Sequence, residues 1–289
     1  MRHTTIDVIG SACHEWDYRN HRCAESLDVA HVSGTRGVHF ISKLATDADG
    51  APLAYHPQDR RPYDNTAHAY DWLANINVDD LFGIQGQGGA VGPAQGYYIS
   101  ATTLSDPRYP NNDTRRWVDA SLVPYVVLPG RALPVPNGLR LKLGCLAFVV
   151  DTRTGHFTGA IYADVGRAVG EGSVALALRL GLKPFYDNCA PKVSGFSGKR
   201  FFYLVFPAAA TSPPWYPDKI HEAAFAEFEA WGGEEQLRQI LNDLPALKGP
   251  ATIRPYALPD TKENADTIPD LVRPEGRGSD VSKFELEAE

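Results

Sequence analysis

Six short runs rich in β-branched and aromatic residues, each bounded by turn formers, constrain this chain more than any other feature. They are 38–43 (VHFISK), 97–102 (YYISAT), 123–128 (VPYVVL), 146–151 (LAFVVD), 157–164 (FTGAIYAD) and 201–206 (FFYLVF). Runs of this length suit strands and are short for helices. The stretches between them are dense in Gly, Pro, Asn and Asp, which supply turn conformations. Pro124 inside the third run predicts an edge strand or a bulge, because proline donates nothing to a ladder. The regular strand–helix alternation of a doubly wound sheet is missing. The pattern predicts a β-rich α+β domain with a few flanking helices.

Three helices are legible. Ser173 can cap VALALRL, and Gly181 can stop it. Over 218–231, Ile220, Ala224, Phe225, Phe228 and Trp231 recur at helical spacing and form an apolar stripe that suits packing on a sheet. Over 234–244, Leu237, Ile240, Leu241 and Leu244 share a face, two acids open the first turn, and Pro245 ends it. Three regions follow: an N-terminal extension at 1–37, a body at 38–245, and an acidic tail at 246–289 expected to be extended or disordered.

Composition excludes several classes. The 28 basic residues against 35 acidic ones give a formal charge of -7, which argues against a general nucleic-acid binder. No apolar run approaches the ~18–20 residues of a transmembrane helix. The first residues lack the apolar core of a secretory signal. Four cysteines in 289 residues are not a disulfide scaffold. Cys13 and Cys23 could close a short loop; with His14 and His21 they could also be read as ligands, although the spacing is not a usual zinc pattern. Cys145 sits in LGCLAFVV and reads as a small core residue.

The first constellation with chemical potential is Asp164-Val-Gly-Arg-Ala-Val-Gly-Glu171-Gly-Ser173. A strand ends in one carboxylate, a glycine-flanked loop follows, and a second carboxylate precedes a capped helix. Such acids can converge, and two carboxyl groups in different environments are what glycoside hydrolysis uses. They also suit a turn and a helix N-terminus, the plainer reading. The second constellation is Lys43-Leu-Ala-Thr-Asp47-Ala-Asp49-Gly50, a fragment of a calcium loop without its closing glutamate. Turn chemistry is the plainer account, though such carboxylates could also meet sugar hydroxyls or amines. The glycine-rich stretch 83–92 lacks the ending of a phosphate loop, and 195–198 (GFSG) lacks the spacing of a nucleophile elbow. Aromatics at Tyr55, Tyr63, Tyr70, Trp72, Tyr109, Trp117, Trp215 and Tyr216 could offer stacking faces for sugars or simply fill loops.

Taken in order, FISKLATDADGAPLAYHPQD, GYYISATTLSDP, WVDASLVPYVVLPG, FTGAIYADVGRAVGEGSVALALRLGL and FFYLVFP resemble the fungal-type chitosanases of glycoside hydrolase family seventy-five. The resemblance runs from Val38 to about Trp231. It implies an endo-acting, inverting hydrolase of an amino-sugar polysaccharide, chitosan first. Asp164 and Glu171 fall on its essential acids, with Glu171 favoured as proton donor and Asp164 as water activator. Lys43, Asp47, Asp49 and Tyr98 fall on positions expected to bind substrate. No metal or other cofactor is implied.

A roughly six-stranded β-barrel with flanking helices is the expected core, the double-psi type being its candidate form. A monomer with no nucleic-acid partner and no membrane span is expected. Its substrate implies extracellular or periplasmic action. The segments 1–37 and 246–289 have no counterpart in the resemblance. Two alternatives keep the scaffold: a peptidoglycan-cleaving glycosidase, exported or injected, and a carbohydrate-binding protein without activity.

Overall fold

The computed structural model describes residues 5–57, 81–185, 195–242 and 252–256. The chain divides into two compact units, Met1–Leu258 and Pro259–Glu289, and the second lies outside the described residues. So do Tyr63, Tyr70, Trp72, Leu244 and most of the expected tail.

The main sheet begins with a long hairpin, β1 (Ile6–Asp17) and β2 (Arg22–Val32). Its turn is held by Asp17 Oδ1, which accepts from the backbone N–H groups of Arg19 and Asn20. β2 pairs with β3 (Val38–Asp47). β4 (Leu81–Ile84) and β5 (Tyr98–Ser100) form a separate two-stranded sheet. The remaining strands are β6 (Tyr125–Leu128), β7 (Cys145–Asp151), β8 (His156–Val165), β9 (Glu171–Ser173), β10 (Phe196–Ala210) and the two-residue β11 (Arg254–Pro255).

Six of these close a barrel. β3 pairs with β10, β10 with β7, β7 with β8, β8 with β6, β6 with β9, and β9 returns to β3. The β8–β6 and β9–β3 pairings are parallel and the other four antiparallel. Closure leaves no free edge in the ring. All six expected strand runs are strands. Five lie in the barrel, and the run at 97–102 forms β5 beside it. Pro124 stands immediately before β6, and the register with β8 shifts between Val126 and Val127.

Strand alternation divides the barrel wall. Val38, Phe40 and Leu44 of β3, Val126 and Leu128 of β6, Ala147 and Val149 of β7, Ala160 and Tyr162 of β8, and Tyr203 and Val205 of β10 meet in one interior core. Helix α1 (Val174–Arg179) adds Leu176 and Ala177 to that core. The Ser173 side chain accepts from Leu176 N and caps it, and Gly181 (φ 74°) follows the last turn. Helix α2 (Pro217–Trp231) covers part of the outer wall. Its Phe228 stacks on Phe148 of β7 at 4.1 Å between centroids, and its Trp231 meets Phe202 and His39. Helix α3 (Gly233–Asn242) buries Leu237, Ile240 and Leu241 as the stripe predicts.

The segment 1–37, read from sequence as an extension, supplies β1 and β2 and continues the main sheet through the β2–β3 pairing. Cys13 and Cys23 form a disulfide across the hairpin. Cys145 is a buried free thiol, and burial pushes it up to about 12.

Candidate functional site

The acids gather on the part of the outer wall that α2 leaves open. In β6, Val126 and Leu128 belong to the interior core, so Tyr125 and Val127 face outward. Val127 is opposite Asp164 of β8 on one side and opposite Glu171 of β9 on the other. Cross-strand partners share a face, so Asp164 and Glu171 flank Val127 on the outer wall. Two strand spacings separate their backbones by about 9.5 Å. Glu171 is also opposite Ala45 of β3, and Asp47 lies two residues farther along that face, opposite Ser173. β8, β9 and β3 thus bring Asp164, Glu171 and Asp47 to one site. Asp49 follows from the turn after β3.

Local sequence explains how these groups are held. Gly50 (φ 81°) closes the turn after Asp49, and a Cβ there would lie 2.1 Å from the carbonyl oxygen of Val118. Its N–H donates to Ser100 Oγ. Gly170 (φ 91°) precedes Glu171, and a Cβ there would lie 2.2 Å from Ser42 Oγ and 2.9 Å from the carbonyl oxygen of Lys43. Both positions combine left-handed backbone with close approach, which only glycine tolerates without rearrangement.

The environments of the acids differ. Asp47 is buried at 4% exposure, while Asp49, Asp164 and Glu171 are half-buried. Asp47 Oδ1 accepts from Asp49 N at 2.9 Å, and Tyr125 Oη lies 3.0 Å from Asp47 Oδ2 and 3.0 Å from the carbonyl oxygen of Asp49. Burial first, then the negative fields of Asp49, Glu171 and Asp164, push the Asp47 carboxyl well above the usual carboxylate range. Burial likewise raises the Tyr125 phenol, with Asp47 adding to it. Tyr55 donates its hydroxyl to Asp49 Oδ1. Asp164 Oδ1 accepts three donors: Thr103 N at 2.8 Å, Thr103 Oγ1 at 2.5 Å, and Val165 N at 2.9 Å.

One oxygen from each of Asp47, Asp49 and Asp164 lies within 4.8 Å of the other two. That spacing and an all-oxygen donor set would suit a hard cation. The same spacing suits acids that share protons, and it adds to the upward shift that burial gives Asp47.

The remaining expected residues take different positions. Lys43 lies on β3 two residues before Ala45, the partner of Glu171, and pairs with Glu15 of β1 at 2.6 Å. Tyr98 lies on β5 and shares a strand face with Ser100, which touches Gly50. Tyr55, Tyr125 and Thr103 form the inner hydrogen-bond shell of the acids. Tyr125 falls in the strand run 123–128 and Tyr55 among the loop aromatics, but nothing in the sequence ties either to the acids, and Thr103 carries no signal, since the loop 101–104 and the turn after β3 reach the site only through the fold. Of the loop aromatics, Trp117 is buried, its neighbour Arg116 lying over its ring, while Tyr216 is exposed before α2.

No protein-family model matches the chain, and no curated protein matches it in sequence.

Proposed function

We propose that this chain is an inverting endo-glycosidase of an amino-sugar polysaccharide, with chitosan the first substrate. The observation that carries the reading is the placement of Asp164 and Glu171 on either side of Val127, on one outward face. Inverting enzymes need two carboxyl groups about 6.5–9.5 Å apart, with room for a water between one of them and the sugar. Backbones about two strand spacings apart allow side chains to meet that range.

The hydrogen bonds support a division of labour. Asp164 Oδ1 accepts three donors, an arrangement for an ionised, acceptor-only carboxylate. Asp164 is therefore the base. It takes a proton from water as the water oxygen bonds to the anomeric carbon. Glu171 is the acid. It gives its proton to the glycosidic oxygen as the bond to the anomeric carbon breaks. The two steps leave an alcohol and a new reducing end of inverted configuration. Thr103 fixes the base on its strand. Asp49, half-buried and held by Tyr55, stands where it can meet a hydroxyl or ammonium group of a glucosamine unit.

The disulfide between Cys13 and Cys23 suits the oxidising compartment in which an extracellular polymer would be met. Activity on chitosan is measured for the wild-type protein, Asp164→Asn and Glu171→Gln. Each variant is expected to lose roughly a hundred- to ten-thousandfold in kcat while keeping its melting transition, since acid and base assistance are each worth about 10²–10⁴. Wild-type-like cleavage by either variant contradicts the assignment. Release of muropeptides from purified sacculi without action on chitosan would move the same pair to peptidoglycan. Tight binding of chitooligosaccharides with no product would make the chain a binding protein.

A further inference from the structure

We infer that the N-terminal hairpin positions the loop that carries Glu171, and that the Cys13–Cys23 bridge makes this positioning depend on redox state. The hairpin meets residues 166–170 and their neighbours in four ways. Val169 N donates to the carbonyl oxygen of Cys13 at 2.8 Å. The Arg167 guanidinium lies over the Trp16 ring at 5.2 Å. Glu15 pairs with Lys43 at 2.6 Å, and Lys43 lies beside Gly170. His14 Nδ1 hydrogen-bonds Ser42 Oγ at 2.9 Å, and Ser42 in turn lies against Val169 and Gly170. Residues 13–16, a single stretch of β1, make all four contacts.

The bridge sits at the root of that stretch. Cys13 both bears the bridge and supplies the carbonyl oxygen that holds Val169. Its partner Cys23 is exposed, so a thiolate reaches the sulfur from solvent. A dithiol gives two electrons and two protons to the bridge. The S–S bond breaks, Cys13 and Cys23 become thiols, and the dithiol closes to its own cyclic disulfide. Around the bridge the β1–β2 register already shifts between Cys13 and Glu15 and between Glu15 and Trp16, so the ladder alone defines this stretch less firmly. Opening the bridge loosens β1 where it touches the loop, and Glu171 follows at the loop's end.

Trp16, Glu15 and Cys13 are positioning residues here. The kinetic part of the test rests on Asp164 and Glu171 being the reacting pair; the structural part does not. Amide hydrogen exchange is followed on the full chain, oxidised and after dithiothreitol. Reduction is expected to speed exchange at Val169 roughly tenfold, the loss of about one hydrogen bond's protection, while amides of β7 stay unchanged. On chitosan, reduction is expected to lower kcat roughly tenfold with KM within about twofold, because the loop's geometry and not the binding surface changes. Cys13→Ser/Cys23→Ser should match the reduced protein and be indifferent to dithiothreitol. Trp16→Ala, with its bridge intact, should speed Val169 exchange without reduction. Unchanged Val169 exchange on reduction and in Trp16→Ala overturns the inference. Faster Val169 exchange with no chitosan cleavage in either state sustains it and overturns the glycosidase reading instead.

Discussion

A carboxyl group buried among three other acids holds its proton to higher pH than a free one, and Asp47 occupies that position. Its hydrogen bonds agree. Tyr125 Oη has one proton and two oxygens at 3.0 Å, Asp47 Oδ2 and the carbonyl of Asp49. A protonated Asp47 resolves the conflict: its O–H gives to Tyr125, and Tyr125 gives to Asp49. The neutral acid then leaves one charge fewer beside Asp49 and Asp164. Protonation links this residue to stability. The unfolded chain releases the Asp47 proton near pH ~3.9, whereas the folded chain holds it to higher pH. Stability therefore falls as pH rises above ~3.9 toward the folded value. Asp47→Asn keeps a donor to Tyr125 and removes that slope. Thermal melts from pH 3 to 7 should show the variant equal to wild type at pH 3 and higher at pH 7, by roughly 2–4 °C per kcal/mol relieved. A lower melting temperature at pH 7 would show that Asp47 is needed as an anion.

At the scale of elements, a three-residue strand decides the site. β9 (Glu171–Ser173) pairs with both β3 and β6 and so closes the barrel while carrying Glu171. Gly170 lets the chain enter it. Gly170→Ala places a methyl group against Ser42 and the Lys43 carbonyl at φ 91°. A cost of about 1–3 kcal/mol is expected. Calorimetry should read it as a lower melting temperature, and chitosan turnover should fall more than binding. An unchanged melting temperature would contradict the closeness of that packing.

Much of this was legible in the residues. Dense β-branched and aromatic runs mark β3, β6, β7, β8 and β10, because barrel walls bury such side chains on both faces. Ser173 and Gly181 mark the ends of α1. β9 was not legible: Glu-Gly-Ser has weak strand preference, and only tertiary closure extends it. The hairpin escaped for a related reason. β1 and β2 carry many half-exposed and polar residues, and they pair mainly with each other. Asp164 and Glu171 were legible as a motif on a strand end and a helix lip. Their flanking of Val127 was not, since it depends on β6, which lies more than 30 residues earlier.

For the molecule as a whole, the barrel brings together acids that are far apart in sequence. Asp47 comes from the end of β3, Asp49 from the turn after it, Asp164 from β8 and Glu171 from β9. The formal charge of -7 is a poor guide to this face. Residues 251–289 hold nine acids and five bases, so 5 − 9 = −4 of that charge lies in the last stretch. In the proposed reading, attraction for a cationic polymer would rest on a few carboxylates on one face, and only those that remain ionised would contribute. No helix among the described residues is long and apolar enough to cross a membrane. The central claim is that Asp164 and Glu171, set across β6, hydrolyse a glycosidic bond by direct attack of water. Proton NMR of the first products from a β-1,4-linked glucosamine hexamer tests it most directly. The α-anomer should appear first and then mutarotate; first appearance of the β-anomer, or an intact hexamer, would contradict it.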